Sequence, residues 1–376
     1  MYLYEKPVYC ACALALALLA APAFAATNFV QTNLVADVAG VAAVTDPNLV
    51  GTWGISQSAT SPFWVSNTAN GTSTLYTVTE AAPGVPVVST TVAVIPPSAA
   101  NKGKAGLPTG QVNNGYGAGN FEVATGHPAS FLFATYDGTI SGWYGGVANN
   151  TAIAFVDHSA NRAAYTGLAI GVSSIGPTLY ASNFSNGTID TFDHTLKQVT
   201  LSGGFQDPDL PNSYFPFNIQ RYGRRLYVAY AYSDSTGSLA FGGPGTGLID
   251  VFDLDGNLLQ HLVPNNQHLN LPWGMAVTGA NFGTFSYALV VGNFGDGTIS
   301  AFDLNSGDYL GTMQDGKGNN ISINGLWGLQ WGNGGGGGDT STLYFAASPG
   351  AGPSGYSQHG LFGSLKAGPD AASTLQ

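Results

Sequence analysis

Val290 to Asp303 reads VVGNFGDGTISAFD. A buried apolar run ends at Asn293, an Asp-Gly turn follows, and an alternating strand closes on Phe302 and Asp303, which together spell one β-hairpin. The unit recurs. Leu179 to Asp193 reads LYASNFSNGTIDTFD, Phe131 to Trp143 reads FLFATYDGTISGW, and Leu226 to Asp253 keeps both ends around a longer tip. A repeated supersecondary unit cannot bury its apolar face alone, so recurrence decides the architecture before any single motif does.

Working outward, each hairpin is preceded by a strand with a recognisable core. These are TWGI at Thr52, TGQV at Thr109, TGLA at Thr166, PFNI at Pro216, PWGM at Pro272 and LWGL at Leu326. Their spacing averages about 55 residues, which suits a four-stranded propeller blade with generous loops. Asp137-Gly138, Asn186-Gly187 and Asp296-Gly297 are the hairpin dipeptides, since a tight turn matched to strand twist needs positive φ. The expected fold is therefore all-β: a six-bladed β-propeller of four-stranded antiparallel blades. The sixth unit runs out after three strands, ending near Gly360 to Leu365. Asn28 to Val35, NFVQTNLV, belongs to no hairpin of its own, and pairing it onto the sixth blade closes the ring and removes the open edges. The Gly-rich run Gly332 to Gly338 lacks the Lys-Ser/Thr of a phosphate cradle and reads as a floppy connector.

Composition agrees with this architecture and narrows the partners. The chain has 53 Gly, 12% aromatic and 8% charged residues, and 21 acidic against 10 basic side chains for a net charge of -11. Nucleic-acid binding rests on clustered Lys and Arg, so that class is set aside. Residues 1–25 read as a signal peptide: Lys6, an apolar stretch from Ala11 to Ala21 too short to span a membrane, and Ala23-Phe24-Ala25 as the cleavage pattern. Residues 26–366 form the propeller and 367–376 a short disordered tail. Both cysteines, Cys10 and Cys12, fall in the leader, which leaves no disulfide or thiolate chemistry in a secreted or periplasmic product with no membrane span, read as a monomer.

In a propeller, the loops entering the first strands share a face with those leaving the second strands. That face gathers Asp46, Asn48, Asn67, Asp137, Asn183, Asp207, Asp209, Asn218, Asn270, Asn293 and Asn324, where amides and carboxylates could hold Ca²⁺ or a neutral polar ligand. The same residue types also build strand ends and Asx-turns. Trp53, Trp273 and Trp327 occupy equivalent positions and either stack on a flat ligand or pack between blades. Asp46, Asp207 and Asp209 are the candidate metal ligands. HExxH and GxSxG are absent, and of six histidines only His268 and His359 fall near this face.

At TNLVADVAG (Thr32), TDPNLVGTWGIS (Thr45), SPFWVSNTANGTSTLY (Ser61), ATYDGTISGW (Ala134), GGFQDPDLP (Gly203), PFNIQ (Pro216), LNLPWGMAV (Leu269), VGNFGDGTISAFD (Val291) and HGLFGSL (His359), the sequence resembles a family of exported bacterial proteins of unknown activity that often carry a PEP-CTERM sorting tail. The resemblance implies export, and the missing tail implies free release. More distantly the chain looks like the six-bladed NHL and gluconolactonase-type propellers, some of which hold a channel metal through Glu, Asn and Asp; here that face offers Asn but no Glu. The expected function is a secreted binding module for a polar small molecule, glycan or extracellular protein. The alternative is a Ca-dependent hydrolase or lyase, lactonase-like, with its site at the channel mouth. A structural matrix protein with no ligand is a third possibility.

Overall fold

The computed structural model describes residues 28–79, 85–234, 237, 240–264, 266–351 and 357–368; the leader and most of the tail lie outside these. Six antiparallel sheets surround an axis. Blade 1 comprises Thr52–Ser56, Phe63–Asn67, Thr72–Thr77 and Val87–Val94, and blade 2 Pro108–Asn113, Phe131–Thr135, Thr139–Trp143 and Ile153–Asp157. Blade 3 comprises Tyr165–Ser173, Gly176–Asn183, Thr188–Phe192 and Gln198–Val199; its two-residue outer strand was not legible in the sequence. Blade 4 runs Tyr214–Tyr222, Arg225–Tyr232, Gly247–Asp253 and Leu258–Val263, and blade 5 Pro272–Val277, Ala288–Asn293, Ile299–Asp303 and Tyr309–Thr312.

Blade 6 draws on both ends of the chain. Leu326–Trp331, Leu343–Ala347 and Leu361–Ala367 are completed by Phe29–Ala36, which pairs antiparallel with the last of them from Phe29↔Ala367 to Ala36↔Leu361. Val44–Thr45 then adds a short parallel fifth strand. The predicted closure is thus observed, and a sheet edge that would template aggregation is covered.

The strands are apolar on both faces because each blade is buried on both sides. One hydrophobic cluster lies between every neighbouring pair of blades. Ala288–Asn293 is buried throughout, which explains its near-continuous apolar run. Gly138, Gly187 and Gly297 all have positive φ, as the hairpin dipeptides require. At the axis, Gly54, Gly110, Gly167, Gly274 and Gly328 occupy one level of the inner strands. A Cβ at Gly110 would lie 2.6 Å from the Leu168 nitrogen, and at Gly54 or Gly274 it would collide with the carbonyl of Thr109 or Trp327. Glycine at this level lets adjacent inner strands approach to backbone contact.

Side chains bolt the blades together where apolar packing cannot. Gln111 of blade 2 donates to the Gly54 and Trp64 carbonyls of blade 1 at 3.0 and 2.6 Å. Tyr222 of blade 4 donates to the Met275 carbonyl, and the Trp331 indole of blade 6 to the Val277 carbonyl, both of blade 5. The Gly332 to Gly338 run is not a floppy connector. It folds back on itself through Asn333 N to Gly337 O and Gly334 N to Gly338 O, and docks on blade 1, where Val78 N donates to Gly336 O at 2.9 Å. Asn333 donates to the carbonyls of Ser58 and Ser61. Side chains would block this approach: a Cβ at Gly337 would collide with Gln57 Oε1.

Candidate functional site

The two ends of the channel differ. At the start of the inner strands, the aromatic positions converge and fill the axis. Trp53 and Trp327 stack with ring centroids 3.9 Å apart, Phe294 stacks on the other side of Trp327 at 4.0 Å, and Trp273 meets Trp327 edge-on at 5.7 Å. Phe217 takes the tryptophan position in blade 4 and packs on Trp327 at 5.6 Å. Blades 2 and 3 carry Thr109 and Thr166 there, and the smaller side chains make room. The Trp273 indole reaches across to the Thr166 carbonyl at 3.1 Å. Trp53, Trp273 and Trp327 are at most 3% exposed, so they form a plug rather than an accessible platform.

Each asparagine on this face has at least one local partner, while the buried Asn67 Oδ1 has none among the described residues. Asn67 donates to Thr72 and Thr74 at 3.2 and 3.0 Å. Asn183 accepts from Ala164 N and donates to Asp190. Asn293 accepts from Asn270 N and donates to His268 O and Thr298. Asn270 accepts from Gly243 N and donates to Asp296, and Asn218 stands at the inner-strand glycine level and donates to Trp273 O at 2.6 Å. Asn48 is exposed and bonds to Asp46, and exposed Asn324 accepts from Gly350 N. Asp137 accepts from Ser98 N. His268 stacks on Tyr309 at 3.5 Å, and His359 pairs with Asp37 at 2.7 Å.

At the other end, where the inner strands finish, the channel opens into a cup of about 500 Å³. Its polar wall includes Gln57, Asn113, Tyr116, Gln220, Arg221 and Gln330. Part of this wall is committed: Gln57 donates to Trp331 O, Asn113 to Ser130 O, and Gln220 accepts from Met275 N. Arg221 is exposed and spends one nitrogen on Gly223 O, which leaves most of its donor fork facing solvent. No carboxylate lines the cup.

The three acidic metal candidates separate. Asp46 is buried just after the short parallel strand Val44–Thr45, against the first blade, accepting from Tyr76 Oη at 2.8 Å and from Asn48. Burial first, then the Asp46 charge, pushes the Tyr76 hydroxyl up. Asp207 and Asp209 stay together, in the connector from blade 3 to blade 4, and meet two residues of blade 4 that the sequence reading did not single out. His261 Nδ1 lies 3.6 Å from Asp207 Oδ2 and 3.2 Å from Asp250 Oδ1, and its Nε2 lies 3.7 Å from Asp209 Oδ2. Asp250 and His261 are cross-strand partners on the third and fourth strands of the blade. Burial first, then the neighbouring Asp207 carboxylate, pushes Asp250 up to about 7, against the pull of His261. Burial, followed by the charges of Asp250 and Asp207, also raises the Tyr230 hydroxyl.

No family model matches the chain. Among individual proteins, "Uncharacterized protein R648" of Acanthamoeba polyphaga mimivirus is 31% identical over 317 residues, 82% of this chain and 75% of that protein. The chain belongs to the family of R648. Two further proteins of that virus match over shorter spans: R640 at 30% over 205 residues, and L690 at 36% over 170 residues. These matches cover 54% and 44% of this chain but only 38% and 44% of those two proteins. Solved structures with similar coordinates include virginiamycin B lyase from Staphylococcus aureus, at TM-score 0.47 and 13% identity over 90% of this chain and 99% of that one. Hydrazine synthase of Kuenenia stuttgartiensis aligns at TM-score 0.46 and 14% identity, over 82% and 76%. Likenesses this remote carry nothing about activity.

In this member of the R648 family, the residues missed from the sequence are Asp250, His261 and the cup. The Asp250–His261 pair could have been found by pairing the hairpin around Asp253 to Gly256, whose register sets the two side by side. The cup had a signal too, since Gln follows the aromatic-Gly/Asn-aliphatic core in TWGISQ, PFNIQ and LWGLQ.

Proposed function

We propose that this protein is a binding module, exported as its leader suggests, that takes a polar small molecule or the end of a glycan into the cup at the finishing ends of the inner strands. One observation carries the reading: the channel is plugged by aromatics at one end and opens at the other into a cup of about 500 Å³, whose wall mixes aliphatic side chains with amides, tyrosines and one guanidinium. A cavity of that size with a few converging polar groups is typical of small-ligand sites. Its donors favour a neutral or singly anionic ligand, such as a sugar or a sugar acid. The resemblance to the exported bacterial family supports the compartment, and among the described residues no helix is long and apolar enough to cross a membrane.

A metal-dependent hydrolase or lyase would need its metal beside the substrate cavity. The one group of side chains among the described residues able to hold a metal involves the connector and outer strands of blade 4. Strands lie about 4.8 Å apart, so Asp250 and His261, two and three strands out from the cup wall, are about 10–14 Å from it. Binding is therefore preferred over catalysis.

The test is a thermal-shift screen of the purified mature protein against neutral sugars, sugar acids and lactones, followed by calorimetry on any hit. Arg221→Ala should weaken a sugar acid by about 10- to 100-fold, the range expected for a lost charge-assisted hydrogen bond. A hit that ignores Arg221→Ala and Gln330→Ala but is lost in Asn293→Ala or Asn183→Ala would move the site to the opposite face.

A further inference from the structure

The connector between blades 3 and 4 turns sharply at Asp207, whose Oδ1 accepts from Asp209 N at 2.8 Å. That turn commits one oxygen of Asp207 and leaves Oδ2 facing His261, while the Asp209 carboxylate swings round to the far nitrogen of the same ring. Behind the ring sits Asp250, 2% exposed, with Oδ1 within 3.2 Å of His261 Nδ1. Its second oxygen is fully buried, and no hydrogen-bond donor among the described residues reaches it. A buried carboxylate oxygen without a donor is costly unless the group keeps its proton or a cation compensates. Lysine and arginine do not supply one, since every ion pair of this cluster is made with His261 alone.

We propose that Asp207, Asp209 and His261 bind a divalent transition cation of the Zn²⁺ or Mn²⁺ class, with Asp250 holding the imidazole from behind. The donor atoms lie within 4.8 Å of one another. Two bonds of about 2.1 Å span at most about 4.2 Å: the 3.7 Å between Nε2 and Asp209 Oδ2 fits inside that limit, whereas Asp207 Oδ2, 3.6 Å from Nδ1, must turn toward Nε2 to join the same ion. A carboxylate against Nδ1 fixes the tautomer that leaves Nε2 as the metal donor, the usual arrangement around metal-bound histidines. The imidazole decides the ion, because Ca²⁺ takes oxygen ligands whereas zinc and its neighbours accept nitrogen. The site is independent of the cup. It fastens an inter-blade connector to the rim of blade 4, with Asp209 and about a third of the His261 side chain open to solvent for entry of the ion.

The experiment uses the mature protein stripped with EDTA and dialysed. Zn²⁺, Mn²⁺ and Ca²⁺ are each titrated by calorimetry and thermal midpoint, and Co²⁺ by visible absorption. One equivalent of Zn²⁺ or Mn²⁺ should bind and raise the midpoint, and Co²⁺ should develop ligand-field bands. His261→Ala and Asp209→Asn should each weaken binding by at least about 10-fold, and Asp250→Asn by about 10- to 100-fold. Asp209 has an exposed side chain, so its variant tests the site even if His261→Ala folds poorly. The proposal is overturned if Ca²⁺ binds as tightly as Zn²⁺ and is indifferent to His261→Ala, if the affinity survives Asp209→Asn and His261→Ala together, or if the folded protein binds none of these cations.

Discussion

Phe29 is the side chain on which ring closure turns, and Phe29→Ala is the perturbation that measures it. The strand Phe29–Ala36 is bonded to blade 6, yet its first side chain is wedged against blade 5: the ring lies 5.6 Å from Phe285, nearly parallel, and 5.0 Å from Phe282. The Phe29 nitrogen also donates to Gln314 O, at the outer edge of that blade, at 2.8 Å. Phe29 is 1% exposed. Truncating a buried phenylalanine costs about 3–5 kcal/mol, from lost transfer energy and the cavity left behind. Unfolding entropy near 2.1 cal/mol/K per residue over about 340 folded residues gives about 0.7 kcal/mol/K, so the midpoint should fall by about 4–7 °C. Val30, next along the strand and 50% exposed, supplies the control. Val30→Ala should change stability by no more than about 0.5 kcal/mol. Equilibrium urea unfolding followed by tryptophan fluorescence reads both variants. If Phe29→Ala loses under about 1 kcal/mol, or no more than Val30→Ala, the opening strand does not lock the ring and the closure argument fails.

The inner-strand glycines make a second prediction. Gly110→Ala places a Cβ against the backbone of Leu168 and Gly167, which cannot swing aside, and should cost about 3 kcal/mol or more by urea unfolding. Gly279→Ala, facing open space, should stay within about 0.5 kcal/mol, and equal effects at the two sites would remove the close-approach argument. A third concerns acid. Burial tends to raise Asp157, Asp193 and Asp339, but hydrogen bonds to Ser159 and Ala99, to Thr195 and Lys197, and to Ser341 outweigh it and hold all three below the usual carboxylate range. Backbone hydrogen bonds at Ser306 and Asn305, and at Asn319 and Lys317, do the same for Asp303 and Asp315. A depressed folded pKa stabilises above the unfolded value near 3.9 and is lost as pH falls through the folded value, so the contribution of these five groups should be intact at pH 5 and decline only below about pH 4. Replacing Asp157 and Asp193 with Asn should flatten that acid limb; a limb of unchanged steepness would contradict the assignment.

Much of the fold was legible because each blade repeats short-range signals. Alternation fixes the strand faces, and the Asp-Gly and Asn-Gly pairs fix the turns, so the hairpins at Asp137, Asn186 and Asp296 are fully specified by neighbours in sequence. What escaped depends on distant segments. The outer strand Gln198–Val199 is too short to show a period, and Val44–Thr45 is a strand only because Val35 and Ala36 lie beside it. The glycine run from 332 to 338 looked like slack chain because glycine signals freedom. Here its bare backbone is what allows docking against Thr60, Gln57 and Val78.

The candidate site was harder, for a physical reason that Asn293 makes plain. An asparagine that ends a strand by bonding the next turn and one that points into a channel for a ligand occupy the same place in the sequence. Only the partners tell them apart, and Asn183 and Asn293 have theirs on both the amide oxygen and the amide nitrogen. The tryptophans were ambiguous in the same way until their rings were seen stacked on one another. Their convergence has a consequence for the opposite end. Four large aromatics on inner strands can meet only if the strand starts tilt toward the axis and the interior there is filled. The channel must then open, if anywhere, where the same strands end. The residues at those ends are Gln57, Gln220 and Gln330, each following its own aromatic core by three or four positions, with Arg221 beside them. The plug and the cup are therefore one design read in two directions along the same strands, and under the proposed binding role the side of the ring that would take a ligand follows from which side the aromatics close.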